Sequence, residues 1–260
     1  MNNYQFQIYI SILSIIILFI IWLLLYLNYK FKRWEIVKSN GIVRNQIKFN
    51  LKNPHSNIKF RLTNYNHKFL DLRKDLQVIF WCSNKNDYLL LDQFSVGCIL
   101  AQISTSLLFS RKLYIENNGI NFKNDSEIYK IFKPLIENKS YVVVVHFGEI
   151  RPCFIQFLNQ LKIIASSLLL NSNNFKLILL NPYLDKKISY ENFKDVIDQL
   201  FIKRYLIYSK NKNYKFSKCI ENLINILKIN NENAIELKLG NRTFKYEETI
   251  VFAIIIKWII

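Results

Sequence analysis

The sequence predicts an α+β fold: one N-terminal transmembrane helix followed by a mixed, largely antiparallel sheet domain with packed helices. Three observations predict it. The run Ile8–Asn28 carries no charged side chain over 21 residues. Beyond it, strand-like segments alternate irregularly with segments of helical periodicity, which is the mark of an α+β arrangement. Turn dipeptides suited to tight hairpins, Asn118-Gly119 and Gly240-Asn241, sit between strand-like flanks.

Taken in order, the first element is the apolar run. At 1.5 Å per residue it reaches ~30 Å, the thickness of a bilayer core, and its bulky residues suit a retained anchor better than a cleaved signal. The preceding MNNYQFQ is uncharged, whereas Lys30, Lys32, Arg33, Lys38 and Arg44 follow. Positive flanks stay on the non-translocated side, so a single-pass protein is expected with its C-terminal domain facing cytosol, stroma or matrix. Residues 1–33 are then an anchor, 34–83 an exposed β-hairpin region, 84–246 an α+β core domain and 247–260 a C-terminal apolar helix.

Residues 42–63 alternate apolar and polar around Lys52-Asn53-Pro54-His55, as a hairpin does. Leu76–Cys82 reads as a buried strand, and Tyr88–Phe109 as a buried helix breaking into strand near its end. The segment KLYIENNGINF (residues 112–122) reads as a hairpin. Asp125-Ser126 caps a helix through Glu137. Tyr141–Phe147 (YVVVVHF) is the strongest strand signal and belongs at the centre of a sheet. Leu161–Leu170 and Phe175–Leu180 fit helix-then-strand or an antiparallel hairpin, with the hairpin preferred. Ser189 opens a helix to about Lys203, Tyr205–Tyr208 is a strand, Phe216–Ile229 a helix, Ala234–Tyr246 a hairpin and Thr249–Ile260 a helix too short to span a membrane.

Composition narrows the function classes. At 51% hydrophobic and 15% aromatic residues, the chain has ample material for a core. Its bias to Ile, Lys and Asn is what AT-rich coding DNA produces, as in reduced organellar (for example plastid), endosymbiont, viral or some protist genomes. The net charge of +17 suits contact with anionic lipid. The lysines are spread along the chain, however, and no nucleic-acid motif is present, so nucleic acid is not an expected partner. Cys82, Cys98, Cys153 and Cys219 stand far apart, with only His55, His67 and His146 as further soft ligands. That spacing supports neither a structural zinc site nor a disulfide scaffold.

No G-x-G-x-x-G, P-loop or H-E-x-x-H occurs, so the sequence names no cofactor and no metal. Ser95-Val96-Gly97 shares S-x-G with a nucleophile elbow but lacks the first glycine and falls in a helix. His67 to Asp71 is one residue short of an acyltransferase H-x4-D. The segment with most chemical content is His146-Phe147-Gly148-Glu149-Ile150-Arg151 at the end of the YVVVV strand. His146, Glu149 and Arg151 are the binding candidates, able to hold an anion or move a proton, because functional groups collect at strand ends. A polar turn leaving a core strand accounts for the same residues without any site, and no residue is assigned a catalytic role.

Three segments carry a resemblance. They are Ser95-Val-Gly-Cys-Ile-Leu with Ser104-Thr-Ser-Leu-Leu-Phe, Tyr141-Val-Val-Val-Val-His with Arg151-Pro-Cys-Phe154 and Phe157-Leu158, and Ile163–Leu180 followed by Ser189–Leu200. Their pattern resembles the cofactor-assembly family of complex C, whose members help attach haem to a b-type cytochrome in photosynthetic membranes. The resemblance implies a non-enzymatic assembly or scaffold factor with a membrane-protein partner beside the lipid bilayer, and it supplies no catalytic residue. The alternative expectation is a membrane-bound transferase or other enzyme acting on an anionic or lipid-linked substrate.

Overall fold

A computed structural model describes residues 16–25, 41–53, 56–111, 125–170, 172–209, 214–238, 244 and 247–260. The chain divides into two compact units, Met1–Ile42 and Val43–Ile260. In the first, residues 16–25 form a helix, α1, with exposed apolar side chains. Among the described residues no helix is long and apolar enough to cross a membrane. The single-pass expectation, with its orientation and membrane location, is corrected accordingly; residues 8–15 and 26–28 of the expected span lie outside the described residues.

The second unit is built on one eight-stranded sheet. Its strands are β1 (Ile42–Asn53), β2 (Ser56–His67), β3 (Arg73–Cys82), β4 (Ile103–Arg111), β5 (Tyr141–Ile150), β6 (Phe175–Leu184), β7 (Lys203–Ser209) and β8 (Ala234–Leu237). Their order is β1-β2-β4-β3-β5-β6-β7-β8. β2 runs antiparallel to β4, and every pairing from β4 through β3, β5, β6 and β7 to β8 is parallel. The expected α+β, largely antiparallel sheet is therefore corrected to a mostly parallel α/β one.

The helices explain why. They are α2 (Lys85–Leu100), α3 (Asp125–Ile136), α4 (Pro152–Ser167), α5 (Tyr190–Leu200), α6 (Tyr214–Ile226) and α7 (Glu248–Ile259). Parallel neighbours need a crossover of a dozen residues or more. Leu161–Leu170 supplies the second half of such a crossover as the end of α4, and Phe175 then opens β6 parallel to β5. The preferred hairpin over these residues is thus replaced by helix-then-strand. Both faces of β5 are covered, which explains its unbroken valine run: Val142 to Val145 are each at most 1% exposed. Ala234–Leu237 likewise pairs parallel to β7. The second arm of its expected hairpin, like the hairpin expected at residues 112–122, falls mostly or wholly outside the described residues.

One face of the sheet packs on α3, α4, α5 and α6, with Ile79, Trp81, Val142, Val144, Leu177 and Leu179 meeting Phe132, Phe154, Phe157, Phe193 and Leu223 in one cluster. On the other face α2 and α7 touch. Gly97 makes that approach possible, since a Cβ there would lie 2.4 Å from Cζ of Phe252. Side chains also fasten the elements. Tyr65 Oη donates to Asp92 Oδ1 at 2.5 Å, and Arg44 pairs with Asp92 Oδ2 at 3.0 Å, tying β1 and β2 to α2. Lys176 Nζ donates to the carbonyls of Trp258 and Ile259 at 2.9 and 3.3 Å, holding the end of α7 against β6. Ser189 caps α5, its Oγ accepting from the Asn192 amide, as the sequence indicates.

Candidate functional site

The carboxyl ends of parallel strands leave a crevice where loops diverge to opposite faces, and ligands bind there in open α/β sheets. In this sheet a cavity of about 690 Å³ lies above β3, β4, β5 and β6. Ser83 and Asn84 reach it from the turn after β3, Phe109 from β4, Glu149 and Arg151 from the end of β5, and Tyr183 from β6. Asp87 and Tyr88 enter from the first turn of α2, and Arg61 from β2, where it sits in register with Phe109.

The turn after β5 shapes the floor. Pairing with β6 shifts register between Phe147 and Glu149, and between them Gly148 has φ +80. A Cβ at Gly148 would stand 2.9 Å from Asp87 Oδ2, so the left-handed conformation and the nearby carboxylate both select glycine. Arg151 then takes an extended conformation as N-cap of α4, and Pro152 occupies the first helical turn, where a missing N–H costs nothing.

Of the three sequence-derived candidates, the structure brings two together. Arg151 Nε donates to Glu149 Oε2 at 2.6 Å, with both side chains about one-quarter exposed in the cavity wall. His146 is separate. It points beneath the floor, wholly buried, its ring 4.2 Å from that of Phe154, and neither ring nitrogen has a partner. Burial first, and the neighbouring Arg151 charge second, push its pKa down to about 3. Its register neighbour Trp81 is also wholly buried with Nε1 unpartnered, and packs on Phe154 and Phe157. A neutral, unexposed imidazole here is a core residue rather than a proton carrier.

The cavity's remaining charge comes from residues that the sequence did not single out. Arg61 lies 6.0 Å over the Tyr88 ring, its Nε is buried without a hydrogen-bond partner, and among the described residues it forms no ion pair. Asp87 is 4% exposed in the first turn of α2, where the helix dipole favours negative charge. The polar run Ser83-Asn84-Lys85-Asn86-Asp87 directly after a buried strand was the available signal, equivalent to the one at residues 146–151. Nothing local marks Arg61, because β2 reaches the site only through the sheet.

Neither nucleophile nor base for acyl-enzyme chemistry stands at the turn. No serine or cysteine occurs from His146 to Pro152, and no histidine follows His146 anywhere in the sequence. Cys153, in the first turn of α4, is buried with its Sγ 3.5 Å from Ser110 Oγ, and burial pushes its thiol up. Cys82 is also buried, and its thiol is raised by burial and by the Asp87 charge. Such thiols are inert at neutral pH. Ser95 is buried inside α2, donating to the Leu91 carbonyl at 2.7 Å. Among the described residues no group of His, Cys, Asp and Glu could hold a metal ion.

Strand order, an antiparallel second strand and helices on both faces define an eight-stranded α/β-hydrolase-type fold. No family model and no curated protein sequence matches the chain. Solved structures similar to it include a protein of Lactobacillus plantarum assigned as a carboxylesterase, with 7% identity, a TM-score of 0.49, and 83% of this chain and 97% of that chain covered. A thermostable esterase gives 12%, 0.48, 82% and 62%, and a dienelactone hydrolase of Anabaena variabilis gives 7%, 0.43, 83% and 96%. At these identities and TM-scores the likenesses carry no argument; the strand order carries the fold. The resemblance to haem-attachment assembly factors is corrected on the same grounds. Its three segments are successive strand-crossover units of one parallel sheet, and its non-enzymatic membrane assembly role goes with it.

Proposed function

We propose that the protein binds a small molecule bearing a carboxylate or phosphate in the cleft above β3 to β6, and acts on it without a covalent serine or cysteine intermediate. Arg61 supports this most directly: a guanidinium in the cavity wall, stacked on Tyr88, with a buried unpartnered Nε and in no ion pair among the described residues. A guanidinium that lines the cavity without an ion-pair partner among the described residues is able to hold an anion there by charge-assisted hydrogen bonds. Arg151 supplies a second positive charge, held in reserve by Glu149. The cavity is of the size that suits a small organic ligand.

Calorimetric titration with inorganic phosphate and with succinate tests this reading. Arg61→Met and Arg151→Met each weaken binding about tenfold or more, since one charge-assisted hydrogen bond contributes roughly 1.5–3 kcal/mol. Glu149→Gln frees Arg151 and tightens binding. Affinity that is indifferent to all three substitutions would remove the cleft from consideration.

A further inference from the structure

Arg61 and Phe109 are direct partners across the antiparallel pair of β2 and β4, and both line the cavity. Opposed residues of such a pair hold their Cβ atoms about 4.5–5.5 Å apart on one face of the sheet. Tyr88 completes the group from α2. The Arg61 guanidinium lies 6.0 Å over its ring, and that ring meets Phe109 with centroids 5.5 Å apart at an interplanar angle of 71°. Tyr88 Oη is 3.5 Å from Thr63 Oγ1, so the strand that carries the cation also positions the ring beneath it. Leu108 and Ser110 on either side of Phe109 are buried, whereas Phe109 keeps part of its ring open where it lines the cavity.

We infer that the anion taken by this cleft carries its charged group on a planar aromatic ring, as an aryl carboxylate or an aryl phosphate does. The inference rests on the anion-binding reading above and names the other half of the ligand. With the charged group on Arg61, the body of the ligand falls beside the opposed Phe109. The spacing between cation and ring is short, and a ring attached close to the anion matches it. Aromatic rings meet edge to face or offset-stacked, so a planar ring gains from Phe109 a contact that a saturated ring of similar size does not. Ring surface laid on Phe109 is also removed from water, which a bare anion cannot exploit.

Calorimetric titration of the full chain with methylphosphonate, cyclohexylphosphonate and phenylphosphonate tests the inference, at a pH where all three are fully ionised. The three share one headgroup and differ only in what it carries. Phenylphosphonate is expected to bind about tenfold more tightly than methylphosphonate and about threefold more tightly than cyclohexylphosphonate. Phe109→Leu keeps an apolar side chain on β4 and is expected to bring the phenyl-to-cyclohexyl ratio to about one. Equal wild-type affinity for phenylphosphonate and methylphosphonate overturns the inference and leaves the anion-binding reading standing. Equal affinity for the phenyl and cyclohexyl compounds does the same, and that comparison needs no variant should Phe109→Leu fail to fold. A phenyl preference that persists in the folded variant puts the ring elsewhere and overturns the inference too. Failure of all three to bind overturns both readings together.

Discussion

Lowering the pH from 7.5 to 5.0 should weaken this fold through one side chain, His146, and the magnitude follows from its surroundings. In the unfolded chain His146 titrates at its ordinary value of 6.5; in the folded protein burial and Arg151 hold it at about 3. A depressed folded-state value means that the unfolded state binds the extra proton. The contribution to stability is thus complete above pH 6.5 and is lost as pH falls toward 3. Each pH unit inside that window is worth ~1.4 kcal/mol, so the loss at pH 5.0 is about 2 kcal/mol. Replacing His146 with Phe keeps an aromatic ring against Phe154 and removes both unpartnered nitrogens. Urea unfolding at the two pH values, for wild type and His146→Phe, isolates the effect because all other titrations are shared. The wild type should lose about 2 kcal/mol more than the variant. The variant should also be the more stable at pH 7.5, since its buried polar atoms are gone. Equal losses in the two proteins would refute the claim that His146 is buried and neutral.

Three further outcomes follow from the packing and the cleft. Gly97→Ala drives a methyl into the Phe252 ring and should cost about 1–3 kcal/mol in urea unfolding, with amide exchange in α7 accelerated more than in β5. Lys176→Met removes the ammonium from the last carbonyls of α7 and should raise exchange in that helix while lowering stability by ~1 kcal/mol; unaltered protection would deny the tether a role. A fluorophosphonate should leave the intact mass of the protein unchanged, because no serine stands in the turn after β5. A stoichiometric adduct on Ser83 would instead reveal an activated hydroxyl in the cleft.

Much of the local structure is legible in the sequence, because it depends on neighbours along the chain. The YVVVV strand, the Ser189 cap, the Asp125 helix and the strand over Leu76–Cys82 all appear where periodicity and capping put them. Glu149 and Arg151 are marked by the sequence as binding candidates, but their mutual ion pair is seen only in the structure. Hydrophobic runs alone do not distinguish a parallel core strand from a hairpin arm, which is why Phe175–Leu180 reads as the wrong one of the two.

Sequence pattern suffices for the YVVVV strand and the Ser189-capped helix, for the absence of any histidine after residue 146, and for Glu149 and Arg151 at the strand-end turn. Strand order, the burial of His146, and the gathering of Arg61, Asp87, Glu149 and Arg151 around one cavity come from long-range packing. The physical reason is distance along the chain. Arg61 and Arg151 are separated by two crossovers, and only the closure of those loops, driven by burial of the sheet's two faces, brings both to one cavity.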